Sequence, residues 1–268
     1  MTPAILGAFL RRDLREALTY KFSFVFSLVG IVLSSATFYF VAKLVPASTP
    51  SLGPFGGSYF SFAVVGVAFA GLLVTIEQGL ATVVRGAQLS GTLEALLVTP
   101  VPVPVILFGS SLYQLLFQAF RTVLHLGVAF AFFGLAFGRV NAAGILAVGL
   151  LTVVCFLSVG VLSASFILVY KTGNPFGWIL GTVSGLLGGV VFPVSLLPPW
   201  IRWVSSLLPV TYALDGMRKS LLASVAFSKV LPDVAALAIF DVLLVPLSLL
   251  AFRLAIRKAK RDGSLSHF

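Results

Sequence analysis

Chemistry in this chain would have to come from few residues: eight acidic side chains, two histidines and one cysteine among 268. His125 and His267 stand far apart without cysteine or carboxylate neighbours, and Cys155 lies within an apolar run. The spacing therefore predicts no metal site and no disulfide framework. The carboxylates form no close pairs and no Asp-rich motif, and neither G-x-S-x-G nor H-E-x-x-H occurs. No lysine follows a glycine, so a Walker A loop is missing and nucleotide chemistry is not expected on this chain. The expectation is a protein that is not an enzyme and has no cofactor of its own. The ionisable groups left inside apolar runs are Glu77, Arg121, His125 and Asp241. Unpaired charges at such positions cost at least about 2.5–3.5 kcal/mol each. Counting about 1.5 Å per helical residue puts Arg121 and Asp241 at similar depth. An Arg121–Asp241 ion pair between the third and sixth spans is expected, with two alternatives open: Arg121 could reach outward, or line a path and hold an anionic substrate.

The elements that must position these groups follow from composition. The chain is 59% apolar and 10% charged, with mean hydropathy +1.10, against about 25% charged residues in a soluble domain. That predicts an all-α, polytopic membrane protein. The net charge of +10 does not point to nucleic acid, because the bases sit at the ends of apolar runs, as the positive-inside rule requires. Six spans are expected at 22–45, 59–84, 103–135, 142–170, 176–191 and 234–253 within a single domain, 1–268, with both termini cytoplasmic. Residues 3–18 read as an interfacial helix. Leu6, Leu10, Leu14 and Ala17 form its apolar stripe, with Arg11, Arg12 and Arg15 turned toward anionic lipid. Asp13 falls inside that stripe, where it would pair with a neighbouring base, face a partner, or belong to an ordinary solvated flank.

Two stretches break the pattern of spans. Residues 90–99 read as one short helix, capped by Ser90 or Thr92 and closed by Pro100, with Leu93, Leu96 and Leu97 on one face. A helix of two turns is not stable alone in water and must dock on something. Residues 192–222 are too polar to cross and too apolar for a loop. They predict a re-entrant or interface-lying pair of outer helices over 199–222, with Trp200 and Trp203 at the membrane boundary and Asp215 meeting Arg218 or Lys219. In the second span Phe62, Phe69 and Ile76 recur every seven residues; they could line a path, and helix packing accounts for them equally well. The fifth span is rich in glycine, Gly181 and Gly185 included, which allows close helix approach.

The run Gly91-Thr92-Leu93-Glu94-x-Leu96-Leu97-x-Thr99-Pro100 resembles the cytoplasmic loop of ABC-2 type transporter permeases. Phe192-Pro193-Val194-Ser195-x-Leu197-Pro198-x-Trp200, followed by Leu208-Pro209-x-Thr211-Tyr212 and Asp215-x-x-Arg218, resembles the segment before that family's last span. The resemblance implies a permease subunit in a bacterial or archaeal cell membrane, pairing with a second permease copy. It also implies a separate ATP-binding subunit that carries ATP and Mg. The helix at 90–99 would be the coupling helix, docked by Leu93, Glu94, Leu96, Leu97, Thr99 and Pro100. The N-terminal helix, with Arg11 and Arg12, would be the connecting helix beside it. The substrate path would run between the two copies along the second and fifth spans, and export of a lipid-, drug- or glycan-like amphiphile is expected. A secondary transporter would instead need an intramembrane ion site and an inverted repeat, and a membrane scaffold would leave the docking helix unexplained.

Overall fold

With no water in the hydrocarbon layer, backbone N–H and C=O groups must be satisfied within each segment, so the apolar runs fold as helices. The structure, a computed structural model, describes residues 2–19, 21–46, 49–91, 103–170 and 175–261. Among them every regular element is helical. In chain order the α-helices are α1 (Thr2–Thr19), α2 (Lys21–Ala42), α3 (Tyr59–Leu89), α4 (Val103–Phe133), α5 (Ala142–Tyr170), α6 (Pro175–Leu187), α7 (Pro199–Ser206), α8 (Pro209–Leu221) and α9 (Phe227–Arg261).

Five of these, α2, α3, α4, α5 and α9, contain stretches long and apolar enough to cross a membrane. The expected fifth span at 176–191 is not among them. Its helix α6 has 13 residues and is about 20 Å long at 1.5 Å per residue, short of a hydrocarbon layer of about 30 Å. It stops because Gly189 turns left-handed, at φ 76°, a conformation open to glycine at little cost. The last helix is longer than expected: α9 begins at Phe227, not 234, and continues through the basic run to Arg261.

The centre of the fold is α3. More than half of its apolar window is buried, with α4 on one side and α5 on the other. Gly160 of α5 makes that approach possible, since a side chain there would meet the Glu77 and Ile76 carbonyls of α3. The core beneath holds Val64, Val65, Leu73, Ile76, Ala129, Val148, Leu214 and Leu237. α9 packs along α5 and α8, and α1 packs on α4. α2 presents an apolar face that the rest of the protomer does not cover: Phe22, Phe26, Leu33 and Phe40 are largely exposed. In α1, Arg12 Nε donates to Asp13 at 2.7 Å, so the carboxylate in the apolar stripe is matched by the adjacent base.

Candidate functional site

The expected coupling segment, with Leu93, Glu94, Leu96, Leu97, Thr99 and Pro100, lies outside the described residues. Its approach is described. The Ser90 hydroxyl donates to the Gly86 carbonyl at 2.9 Å, and Gly91 turns left-handed at φ 66°. Ser90 thus helps to close α3, and whether it also caps the segment that follows lies outside the described residues. Arg11 and Arg12 are exposed on α1 and, with Arg15, line an open basic groove beside Gly7 and Ala8.

The segment 192–222 builds the most elaborate polar site among the described residues. Arg218 of α8 is 2% exposed. Its Nε donates to the Phe62 carbonyl at 3.1 Å, Nη1 to the Gly189 carbonyl at 2.7 Å, and Nη2 to the Val190 carbonyl at 2.6 Å. The guanidinium also lies over the Phe62 ring, 3.5 Å from its centroid. One side chain therefore ties α8 to the first turns of α3 and to the bend that ends α6. Gly66 leaves the room: a Cβ there would overlap both Arg218 Nη2 and the Val190 carbonyl. Burial pulls the guanidinium down from its ordinary value to about 9, with Asp215 acting the other way, so it stays charged at neutral pH. No sequence rule points an arginine at three distant carbonyls, and local spacing had offered Asp215. Asp215 is taken by Lys219 instead, at 2.7 Å, and Lys219 also reaches Asp233 of α9 at 2.8 Å. Burial opposes the Lys219 charge, yet the bonds to Asp215 and Asp233 outweigh it and hold its pKa above the ordinary lysine value.

Around this clasp the segment is pinned by backbone. Gly138 N–H donates to the Leu221 carbonyl and Asn141 N–H to the Ser220 carbonyl, with the Asn141 amide reaching the Val225 carbonyl at 3.2 Å. Arg202 closes the turn before α7 by donating to the Ser195 and Leu197 carbonyls. Pro193 is buried, Pro198 exposed and Pro209 half-buried. Pro199 and Pro209 open α7 and α8 from their first-turn positions, where no N–H is missed. Trp200 and Trp203 are largely exposed, as residues at a membrane boundary are.

The proposed path residues divide. Phe62 is 1% exposed beneath Arg218, so it is a core residue and lines no path in this protomer. Phe69 and Ile76 line an apolar cavity of about 270 Å³ between α3, α5 and α8, whose other walls include Leu72, Leu146, Leu150 and Met217. Gly181 and Gly185 stand on a face of α6 where an added Cβ would meet nothing within 4 Å. The Arg121–Asp241 pair does not form. Both Asp241 carboxylate oxygens are buried without a hydrogen-bond partner, and Arg121 Nη1 donates to Gln118 at 3.4 Å. Similar depth was necessary but not sufficient: α4 packs on α1, α2 and α3, whereas α9 packs on α5 and α8.

The profile of the ABC-2 type transporter family matches residues 5–222, from the N-terminal helix through Arg218 and the end of α8. The chain belongs to the ABC-2 type transporter family. It is similar to the inner membrane transport permease YadH of Escherichia coli strain K12, with 29% identity over 194 residues, 71% of each chain. The same protein from Shigella flexneri matches to the same extent. Membership makes the chain a polytopic membrane permease of the ABC type and implies an ATP-binding partner. In ABC-2 terms, the described residues supply the transmembrane part: α3 at the centre and the clasped helices α7 and α8 on the loop side of α9.

Proposed function

We infer that this chain is the membrane subunit of an ABC exporter, working as a pair of permease copies, and that it carries an amphiphile driven by ATP hydrolysis on a separate subunit. The observation that carries the reading is the family match over 5–222 together with one unbroken helix, α3, from the loop at Ser90 to the Arg218 clasp. Six crossings are proposed, with α6 and the bend after it completing the fifth, so that both termini are cytoplasmic and the clasp is outside. The unpacked glycine face of α6, with Gly181 and Gly185, supports contact with the second copy, and the path is placed along it. Phe69 and Ile76 would border that path from the α3 side. Leu93, Leu96 and Leu97 would seat in the ATP-binding subunit, with Glu94 meeting a basic or backbone donor, and Arg11 and Arg12 would lie close by.

Leu93→Asp should leave the permease in the membrane and abolish both co-purification with the ATP-binding subunit and substrate-stimulated ATP hydrolysis. A charge pressed into an apolar socket costs several kcal/mol unless paired. Glu94→Ala should weaken the same two readouts by less. Normal values in Leu93→Asp would remove the docking assignment.

Topology has its own test. Cys155 is 0% exposed and can remain in place as a silent background. Cysteines introduced at Ser90 and Ser206, both exposed, should react with an impermeant thiol reagent from opposite faces of sealed vesicles. Labelling of both from one face would overturn the proposed six crossings.

A further inference from the structure

Arg121 lies close to the middle of the stretch Phe108–Phe133 of α4 that is apolar enough to cross the membrane, and no carboxylate among the described residues forms an ion pair with it. It lines a cavity of about 210 Å³ between α2, α3 and α4, together with Gly30, Ser34, Gly71, Gln118 and His125. Two buried nitrogen atoms in this cavity have no hydrogen-bond partner: Arg121 Nε and His125 Nε2. His125 is only 7% exposed, so its imidazole is committed to the cavity and not to a wet surface. Glu77 and Asp241 are 2% and 8% exposed, buried within their own bundle, and cannot reach the Arg121 of another copy.

A half-buried guanidinium whose buried Nε–H has no partner demands oxygen acceptors, preferably anionic ones. Gln118 supplies one weak acceptor at 3.4 Å, and the Thr122 hydroxyl already donates to the Ala68 and Gln118 carbonyls. Ordered water could occupy a polar cavity, but it would leave the charge unbalanced. Space for an acceptor is provided on the α2 side, where a Cβ added at Gly30 would meet nothing within 4 Å. The volume is below the roughly 300–1,000 Å³ of a pocket for a drug-sized ligand, and suits a headgroup alone. The surroundings are lipid-facing: Phe26, Leu33, Phe120 and Val123 are each more than half exposed on α2 and α4. A ligand reaching this depth must arrive from the bilayer with an apolar tail left outside.

We propose that the cavity between α2, α3 and α4 binds the anionic headgroup, phosphate or carboxylate, of a membrane amphiphile, with Arg121 and His125 as its donors. The site belongs to a single protomer. Its occupancy is a binding property that stands whether or not the direction and coupling of transport are as proposed above.

The test uses the full chain purified in a neutral maltoside detergent and titrated with dodecyl phosphate, with melting temperature as the readout. Dodecyl phosphate should raise the melting temperature saturably, while inorganic phosphate and dodecyl glucoside at equal concentration should not. Arg121→Gln should need about tenfold more dodecyl phosphate, or beyond, for half the shift, since the charged donor of the bond is lost. Gly30→Phe keeps Arg121 and closes the open side, so it should reduce binding by a similar factor and serves if Arg121→Gln does not fold. Arg139→Gln, in the outer turn, should behave as wild type. Equal shifts in wild type, Arg121→Gln and Gly30→Phe would overturn the site. A shift produced equally by dodecyl glucoside would overturn its charge preference. An Arg121-dependent shift with inorganic phosphate alone would overturn the amphiphile and leave a small-anion site.

Discussion

Arg218→Met should lower the melting temperature of the purified permease by about 6 °C or more. The substitution keeps much of the apolar stem and removes three donors at once. The carbonyls of Gly189 and Val190 would lose this donor inside a tight junction, where each buried acceptor without a partner costs about 1–3 kcal/mol, and the Phe62 carbonyl would lose its donor beyond the helix. The loss of the guanidinium face over the Phe62 ring adds to it. Arg218→Lys should rescue little, because a single ammonium cannot reproduce a planar fork aimed at three oxygens. Thermal unfolding followed by size-exclusion chromatography checks both variants. A melting temperature unchanged in Arg218→Met would mean that the clasp contributes nothing to holding α8 on α3.

Gly66→Ala should be as damaging as losing the arginine itself, although it adds one methyl group. That methyl would overlap the Val190 carbonyl oxygen and Arg218 Nη2. The first is backbone and the second is fixed by two other elements, so neither can yield without breaking the clasp. Overpacking in a tight interior costs about 1–3 kcal/mol as a rule, and separation of the clasp would bring the cost of its hydrogen bonds as well. Gly127→Ala in α4 supplies the contrast. Its Cβ would meet nothing within 4 Å, so the better helix propensity of alanine should make it neutral or stabilising by up to about 1 kcal/mol. Equal melting temperatures for Gly66→Ala and Gly127→Ala would show that the close approach at Gly66 is not a constraint.

Hydropathy made most of the architecture legible. The first four expected spans have their counterparts in α2, α3, α4 and α5, and the amphipathic pair near 199–222 in α7 and α8. What it lacked was orientation about each helix axis. Phe62, Phe69 and Ile76 do share a stripe of α3, and that stripe turns largely inward, with Phe62 and Ile76 at 1% and 2% exposure. Arg121 and Asp241 matched in depth but belong to helices that pack on different neighbours. Arg218 illustrates a second blind spot. Carbonyl acceptors carry no side-chain signature, and Phe62 lies 156 residues away, so sequence offered only the local partner Asp215. One signal was present: Arg218 shares the stripe of Val210, Leu214, Met217 and Leu221 on α8, all buried, and a charge on such a stripe is either paired indoors or misplaced. The early end of α6 was likewise written in Gly188-Gly189, which the apolar run around them conceals.

The length of α3 has a mechanical consequence. Its 31 residues contain no proline and make a rod of about 46 Å, packed between α4 and α5. Its first turns are fastened through the Phe62 carbonyl to the same guanidinium that holds Gly189 and Val190. A displacement at Leu89 is therefore expected to reach the far end, where α8 and the close of α6 are fastened to it. The loop beyond Ser90 and the Arg218 clasp are thus the two ends of one lever, joined by a single helix.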